Sequence, residues 1–239
     1  MRHLITAPYM KVKAMTKYRV AESFISINGE ASRAGELALF IRFAGCNLNC
    51  NYCDTEWANK PDVEVTERTA GQMIDMIREA GVSNVTITGG EPLIQPGIVD
   101  LLSELRKLAD ETRIRFEIET NGAVDIKPAI EAFPDCSITL DYKCPGSGME
   151  RFNHLDNYRL VRPIDSVKFV VSDEADMDKM REIVEEYDLT KKCKVYVSAV
   201  FNRIDPEEIA RYMIDNRLND YKLQLQIHKY IWDPEERGV

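Results

Sequence analysis

Leu37-Ala38-Leu39-Phe40-Ile41-Arg42-Phe43-Ala44-Gly45-Cys46-Asn47-Leu48-Asn49-Cys50-Asn51-Tyr52-Cys53 is the stretch that decides the fold. Its first seven residues are apolar except Arg42 and read as a strand. The strand runs into a loop that carries three cysteines within eight residues. The same pattern, an apolar strand ending on unusual residues, recurs downstream. Val85-Thr86-Ile87-Thr88 ends on Gly89-Gly90-Glu91-Pro92, the run from Ile114 to Glu119 closes with Glu119-Thr120-Asn121-Gly122, and the run from Ser137 to Tyr142 closes with Asp141-Tyr142-Lys143. Between strands the apolar spacing is helical: Ala70, Met73, Ile74 and Ile77 before a stop at Gly81, then Ile98, Leu101, Leu102, Leu105 and Leu108. A strand from Val167 to Ser172, a helix with Met177, Met180, Ile183 and Val184, a strand from Val195 to Val200 and a helix from about Pro206 continue the alternation. Leu223 to Ile227 reads as a last edge strand. Strands and helices alternating at these lengths predict an α/β fold with a parallel sheet or barrel. Ligands bind such folds at the carboxyl ends of the strands, so the four motifs are expected to converge on one site.

Composition narrows the function classes. The 239 residues hold 31 Lys and Arg against 40 Asp and Glu, a net charge of −9. That balance argues against a protein that grips nucleic acid through its phosphates. No stretch approaches the roughly 18 consecutive apolar residues of a membrane span. The opening Met1-Arg2-His3-Leu4-Ile5-Thr6 lacks the pattern of a signal peptide, so a cytoplasmic protein is expected. Cys136, Cys144 and Cys193 are scattered and read as small buried residues. Cys46, Cys50 and Cys53 are different: a reduced compartment and this spacing point to a metal or cluster site.

Three thiolates suit one cofactor better than another. A structural zinc ion takes four closed ligands, and here the fourth would have to come from Cys136, Cys144, Cys193 or a distant His. A 4Fe–4S cluster on three cysteines keeps one iron open for a further ligand. Cys46-x-x-x-Cys50-x-x-Cys53 followed one strand later by Gly89-Gly90-Glu91-Pro92 resembles the radical S-adenosylmethionine (SAM) superfamily. The resemblance implies a partial, TIM-like barrel of parallel strands with SAM chelated to the open iron. It places Tyr52 beside the adenine, Gly89 and Gly90 where open backbone meets the methionyl group, and Glu91 on the SAM ammonium. Cys53, Asp54, Glu119, Asn121, Asp141 and Lys143 complete the implied SAM contacts.

Further motifs narrow the resemblance. Ser26-Ile27-Asn28-Gly29-Glu30, the continuation Cys53-Asp54-Thr55-Glu56-Trp57, Asp141-Tyr142-Lys143-Cys144-Pro145 and the close His228-Lys229-x-x-Trp232-x-Pro234 are similar to the 7-carboxy-7-deazaguanine synthase family, across residues 20–239. That family implies ring contraction of 6-carboxy-5,6,7,8-tetrahydropterin to 7-carboxy-7-deazaguanine, with loss of ammonia and catalytic use of SAM. It implies Mg²⁺ on Thr55, and substrate contacts from Ile27, Asn28, Gly29, Glu30, Arg42, Thr88, His228 and Val239. A flavodoxin or ferredoxin donor, a homodimer and one domain over 21–239 behind an extension of residues 1–20 are further implications. Gly238 is expected to let the C-terminus approach closely. The chain departs from the family at Asn28 (usually Gln), Ala31 (usually Gly) and Gly146 (commonly Ser). Two other readings stay open: a glycyl-radical activating enzyme, which shares the cysteine spacing but lacks the Cys-Asp-Thr continuation, and a zinc-binding module.

Overall fold

Period-two alternation gives each strand one apolar and one polar face, and the parallel register lines those faces up. The computed structural model describes residues 16–234 and 236–239. Among the described residues nine strands form one sheet: β1 (Tyr18–Ile27), β2 (Leu37–Phe43), β3 (Thr66–Arg68), β4 (Asn84–Gly89), β5 (Arg115–Thr120), β6 (Ser137–Tyr142), β7 (Ser166–Val171), β8 (Lys194–Ala199) and β9 (Tyr221–Leu223). Their order is β3-β1-β2-β4-β5-β6-β7-β8-β9. Every pair from β2 to β9 is parallel, while β1 is antiparallel to both β2 and β3. This is the α/β, partial-barrel architecture expected from the sequence.

The apolar face carries Leu39, Ile41, Phe43, Val85, Ile87, Phe116, Ile118, Ile138, Leu140, Val167, Phe169, Val195 and Val197, each at most 3% exposed. Against it pack the crossover helices α1 (Ala70–Ala80), α2 (Ile98–Glu111), α3 (Lys127–Ala132), α5 (Glu174–Glu186) and α7 (Pro206–Asp215), with short α4 (Asn157–Leu160), α6 (Leu189–Lys192) and α8 (His228–Ile231) between or after them. Local signals set the helix ends. Thr69 and Gln72 form a capping box at the start of α1, and Gly81 ends it in the left-handed region at φ 65°. Asp205 and Glu208 do the same at the start of α7, with Pro206 in the first turn.

Most expected strands lie within a residue of their observed bounds. Three features differ. β1 and β3 have no counterpart among the expected strands, and Tyr18 and Val20 of β1 are 2% exposed, so a boundary after residue 20 cuts through a core strand. Residues 1–15 of the expected extension lie outside the described residues. The last strand is Tyr221–Leu223 rather than Leu223 to Ile227. Its pairing ends where Val197 meets Leu223, after which Gln224 turns its side chain onto both backbone groups of Ala31.

Candidate active site

The polar face holds the residues that the apolar face excludes: Arg42 on β2, Thr86 and Thr88 on β4, Glu117 and Glu119 on β5, Thr139 and Asp141 on β6, and Lys168 on β7. Arg42 is level with Thr88, and Asp141 with Lys168. Charge runs across this face as a chain of pairs. Lys143 Nζ lies 2.7 Å from Asp141 Oδ2, Lys168 Nζ 3.4 Å from Asp141 Oδ1, and Lys168 Nζ 2.5 Å from Glu30 Oε2. Burial pushes the Glu30 and Asp141 carboxyls up, but the lysine ammoniums outweigh it and hold both below the usual range. Among the described residues Glu119 forms no such ion pair. Burial lifts its carboxyl to about 7; Lys168 and a hydrogen bond with Thr88 oppose the rise, and Glu30 and Glu117 add to it. Glu119 therefore sits near neutrality beside the ionised Glu30 and Asp141.

Glu117 lies deeper. It accepts from Thr139 Oγ1 at 2.6 Å and from Asn28 Nδ2 at 3.2 Å. Asn28 is 1% exposed and its amide is fully engaged: Nδ2 also reaches Thr86 Oγ1 at 3.3 Å, and Oδ1 accepts the Glu30 backbone N–H at 3.0 Å. Asn28 thus orients Glu30 from below. Gly29 beside it packs closely on His228: a Cβ there would lie 2.7 Å from His228 Nδ1, so the imidazole would have to shift. Burial lowers the His228 imidazole pKa, with Glu30 and Asp54 pulling it upward. Ile27 is the half-buried last residue of β1. Arg42 Nε meets Glu22 Oε1 at 2.7 Å, so the charge in the apolar run already has a protein partner.

Above this floor sits the cysteine loop. Its three thiols are free and half-buried. The Cys53 N–H donates to the Cys50 carbonyl at 3.2 Å, which closes the turn between them. Tyr52 donates its hydroxyl to the Val170 carbonyl at 3.2 Å, with the Arg203 guanidinium 5.7 Å from its ring centre. Thr55 Oγ1 is 3.7 Å from Cys53 Sγ, and Asp54 is exposed. Cys136 and Cys144 are buried in the apolar core as expected, while Cys193 packs against it half-buried; burial pushes the Cys193 thiol up to about 12.

Three of the expected site features make close contacts within the protein. Gly89 and Gly90 do not leave space open: a Cβ on Gly90 would meet the Gly45 carbonyl oxygen at 2.1 Å, and one on Gly89 the Phe43 oxygen at 2.4 Å. The glycines let the loop after β4 dock on the root of the cysteine loop, where Gly90 N–H donates to Phe43 O (3.0 Å) and Glu91 N–H to Gly45 O (2.9 Å). Glu91 is 0% exposed, and its carboxylate accepts from Asn121 N (2.7 Å), Thr120 Oγ1 (2.8 Å) and Leu93 N (2.9 Å). It faces the protein, as a clamp between the ends of β4 and β5, because three donors there would otherwise be buried unpaired. Asn121 points its side chain at the cysteine loop, with Nδ2 2.9 Å from Asn47 Oδ1 and 3.4 Å from Cys46 Sγ.

At the C-terminus the Arg237 guanidinium lies 4.4 Å from the Trp57 ring centre, which sets the end of the chain beside the segment following Cys53. Val239 is half-buried. A Cβ on Gly238 would meet nothing within 4 Å among the described residues; its φ of +75°, not a close approach, is what favours glycine.

Glu22, Thr86, Glu117, Thr139 and Lys168 join the site without having been expected there. The signal existed for Glu117 and Lys168: a charge flanked by apolar residues in Phe116-Glu117-Ile118 and Val167-Lys168-Phe169.

Comparison with known proteins gives consistent matches. The family model of the radical SAM superfamily matches residues 40–140. A 7-carboxy-7-deazaguanine synthase of Clostridium acetobutylicum is 51% identical over 222 residues, covering 93% of this chain and 99% of that protein. One from Chlorobaculum tepidum is 34% identical, covering 92% and 96%. The crystal structure of QueE from Escherichia coli superposes with a TM-score of 0.70 at 20% identity, covering 87% of this chain and 93% of that one, which bears on the fold alone.

Proposed function

The chain belongs to the 7-carboxy-7-deazaguanine synthase family of the radical SAM superfamily, and from that premise we propose how its residues serve a ring-contracting lyase of 7-deazapurine biosynthesis. The substrate is 6-carboxy-5,6,7,8-tetrahydropterin, and the products are 7-carboxy-7-deazaguanine and ammonia. The observation that carries the reading is the placement of a three-thiol loop directly beside a buried floor of alternating carboxylates and ammoniums.

The donor set fits the cofactors. Cys46, Cys50 and Cys53 would each ligate one iron of a 4Fe–4S cluster, with the fourth iron left for SAM. When bound, cluster and SAM together supply hydrogen-atom abstraction from carbon. Tyr52, Cys53 and Asp54 on the loop, with Gly90, Asp141 and Lys143 at neighbouring strand ends, would contact SAM, while Glu91 and Asn121 brace those elements. Glu119 belongs with the substrate group instead, since its surroundings are Thr88, Lys168 and Glu30.

A pterin presents N–H donors on its pyrimidine edge and, here, a carboxylate on the other ring. Glu30 accepts from the donor edge. Lys168, held against Glu30 and Asp141, stays at the donor edge, Arg42 would balance the carboxylate, and His228 and Val239 enclose the ring. Glu119, near its titration point at neutral pH, holds the proton that leaves with the amine. Mg²⁺ keeps several waters and takes few protein ligands, so the Thr55 hydroxyl would suffice as its protein ligand, and the ion would supply charge neutralisation for the substrate carboxylate. A flavodoxin- or ferredoxin-type donor, a homodimer and a cytoplasmic setting belong to the same proposal. No helix among the described residues is long and apolar enough to cross a membrane.

The test is anaerobic incubation of the cluster-loaded protein with the carboxy-tetrahydropterin, SAM, Mg²⁺ and a reductant. Equal amounts of 7-carboxy-7-deazaguanine and ammonia are expected. A loaded protein that leaves the pterin unchanged overturns the reading.

A further inference from the structure

The three cysteine sulfurs are not equivalent. Cys46 Sγ receives two N–H groups, from the Leu48 backbone at 3.4 Å and from Asn121 Nδ2 at 3.4 Å. Cys53 Sγ has the Thr55 hydroxyl at 3.7 Å. The Leu48 donor comes from within the loop, but Asn121 reaches in from the end of β5, 75 residues away in sequence.

Its amide cannot turn round without loss. Oδ1 accepts the Ala123 backbone N–H at 2.9 Å, and Nδ2 donates to Asn47 Oδ1 at 2.9 Å. A flipped amide would set oxygen against oxygen at Asn47 and N–H against N–H at Ala123, so the donor end faces the sulfur. The backbone of the same residue is pinned separately, by its N–H on Glu91 Oε2 at 2.7 Å. Asn121 itself is 7% exposed, so its amide is held largely away from solvent.

We propose that Asn121 is a tuning residue for the iron–sulfur cluster: its side-chain N–H, aimed at Cys46 Sγ by the Ala123 and Asn47 contacts, raises the cluster's reduction potential. The inference rests on the assignment of Cys46, Cys50 and Cys53 as the cluster ligands. The physical cause is charge. Reduction adds one electron to the cluster and concentrates negative charge on its sulfurs, so a donor there stabilises the reduced form more than the oxidised form. The Gly89-Gly90-Glu91-Pro92 segment then contributes indirectly, since Glu91 holds the backbone from which Asn121 reaches the sulfur.

The experiment is a redox titration of the reconstituted, SAM-free protein, followed by the electron paramagnetic resonance of the reduced cluster, for the parent protein, Asn121→Ala and Asn121→Asp. Asn121→Asp retains an acceptor for Ala123 and nearly the native shape, but replaces the donor with a negative charge. With iron content matched, Asn121→Ala should make reduction about tenfold less favourable, which for one electron is about 59 mV to the negative side. Asn121→Asp, which places a carboxylate against the sulfur, should move it further in the same direction. Coincident titrations for all three proteins overturn the proposal. If Asn121→Ala fails to fold, Asn121→Ser, which removes the donor at the sulfur without adding charge, decides: an unshifted or more positive potential overturns the proposal. A parent protein that takes up no iron would refute the ligand assignment instead, which separates the two failures.

Discussion

Lys168 on β7 lies 2.5 Å from Glu30, 138 residues earlier in the chain, and this pair joins the loop after β1 to the far side of the sheet. Both side chains are largely buried, at 10% and 12% exposure. Removing one partner of such a pair leaves the other charge without compensation, which costs more than the pair itself contributes. Lys168→Met should therefore destabilise the protein by about 3 kcal/mol, measured by urea unfolding of the cluster-free chain. The same variant should raise the KM for the pterin. An unchanged unfolding midpoint would show that Glu30 and Asp141 do not depend on Lys168.

Gly90 tests the docking of the two loops. A Cβ there would lie 2.1 Å from the Gly45 oxygen and 2.4 Å from Asn59 Oδ1, so the backbone must move. Gly90→Ala is expected to cost about 1–3 kcal/mol, as overpacking does. It should also lower iron incorporation, because Gly45 adjoins Cys46. Gly238→Ala meets no neighbour among the described residues and should leave iron content unchanged. Equal iron content in the two variants would contradict the account.

The Glu119 carboxyl, lifted from 4.5 to about 7, makes a pH-dependent prediction whose sign is fixed. Below pH 4.5 the acid is neutral in folded and unfolded chains alike. Between 4.5 and about 7 the unfolded chain ionises while the folded one does not, so the stabilising contribution is lost as pH rises through that window. Glu119→Gln stays neutral throughout. It should match the parent in thermal stability at pH 4 and exceed it increasingly toward pH 7, where the gap levels off. Turnover by the parent should fall as pH rises through about 7, and the Gln variant should be slow at every pH.

Thr55 sits 3.7 Å from Cys53 Sγ yet is assigned to a different metal. Thr55→Ala should leave the visible spectrum of the cluster intact and raise by several-fold the Mg²⁺ concentration that gives half-maximal turnover. An identical Mg²⁺ response would remove Thr55 from that role.

How much of this could be read in the sequence follows from locality. β2 and β4 to β8 were legible because each buries one face of a short apolar run, and the motifs at their ends were legible because glycines, cysteines and carboxylates interrupt those runs. β1 was not, since Tyr18–Ile27 mixes exposed and buried residues without clean alternation and its register slips between Val20 and Glu22. β3 has three residues, too few for any period to show. At the site, residue types were legible and partners were not. Glu91 reads as a carboxylate in a ligand motif, but its donors come from Leu93 nearby and from Thr120 and Asn121 one strand later. Arg42 invites a partner, yet that partner, Glu22, lies on the strand that the pattern hides.

The central claim is that this chain performs a ring-contracting lyase reaction in which SAM is a reusable cofactor. The most direct measurement is the stoichiometry of a reaction run with limiting SAM and excess carboxy-tetrahydropterin. The account predicts many molecules of 7-carboxy-7-deazaguanine per SAM, one ammonia for each, and none of either from Cys50→Ala. Consumption of one SAM for each product, or SAM cleavage with the pterin left intact, would contradict it.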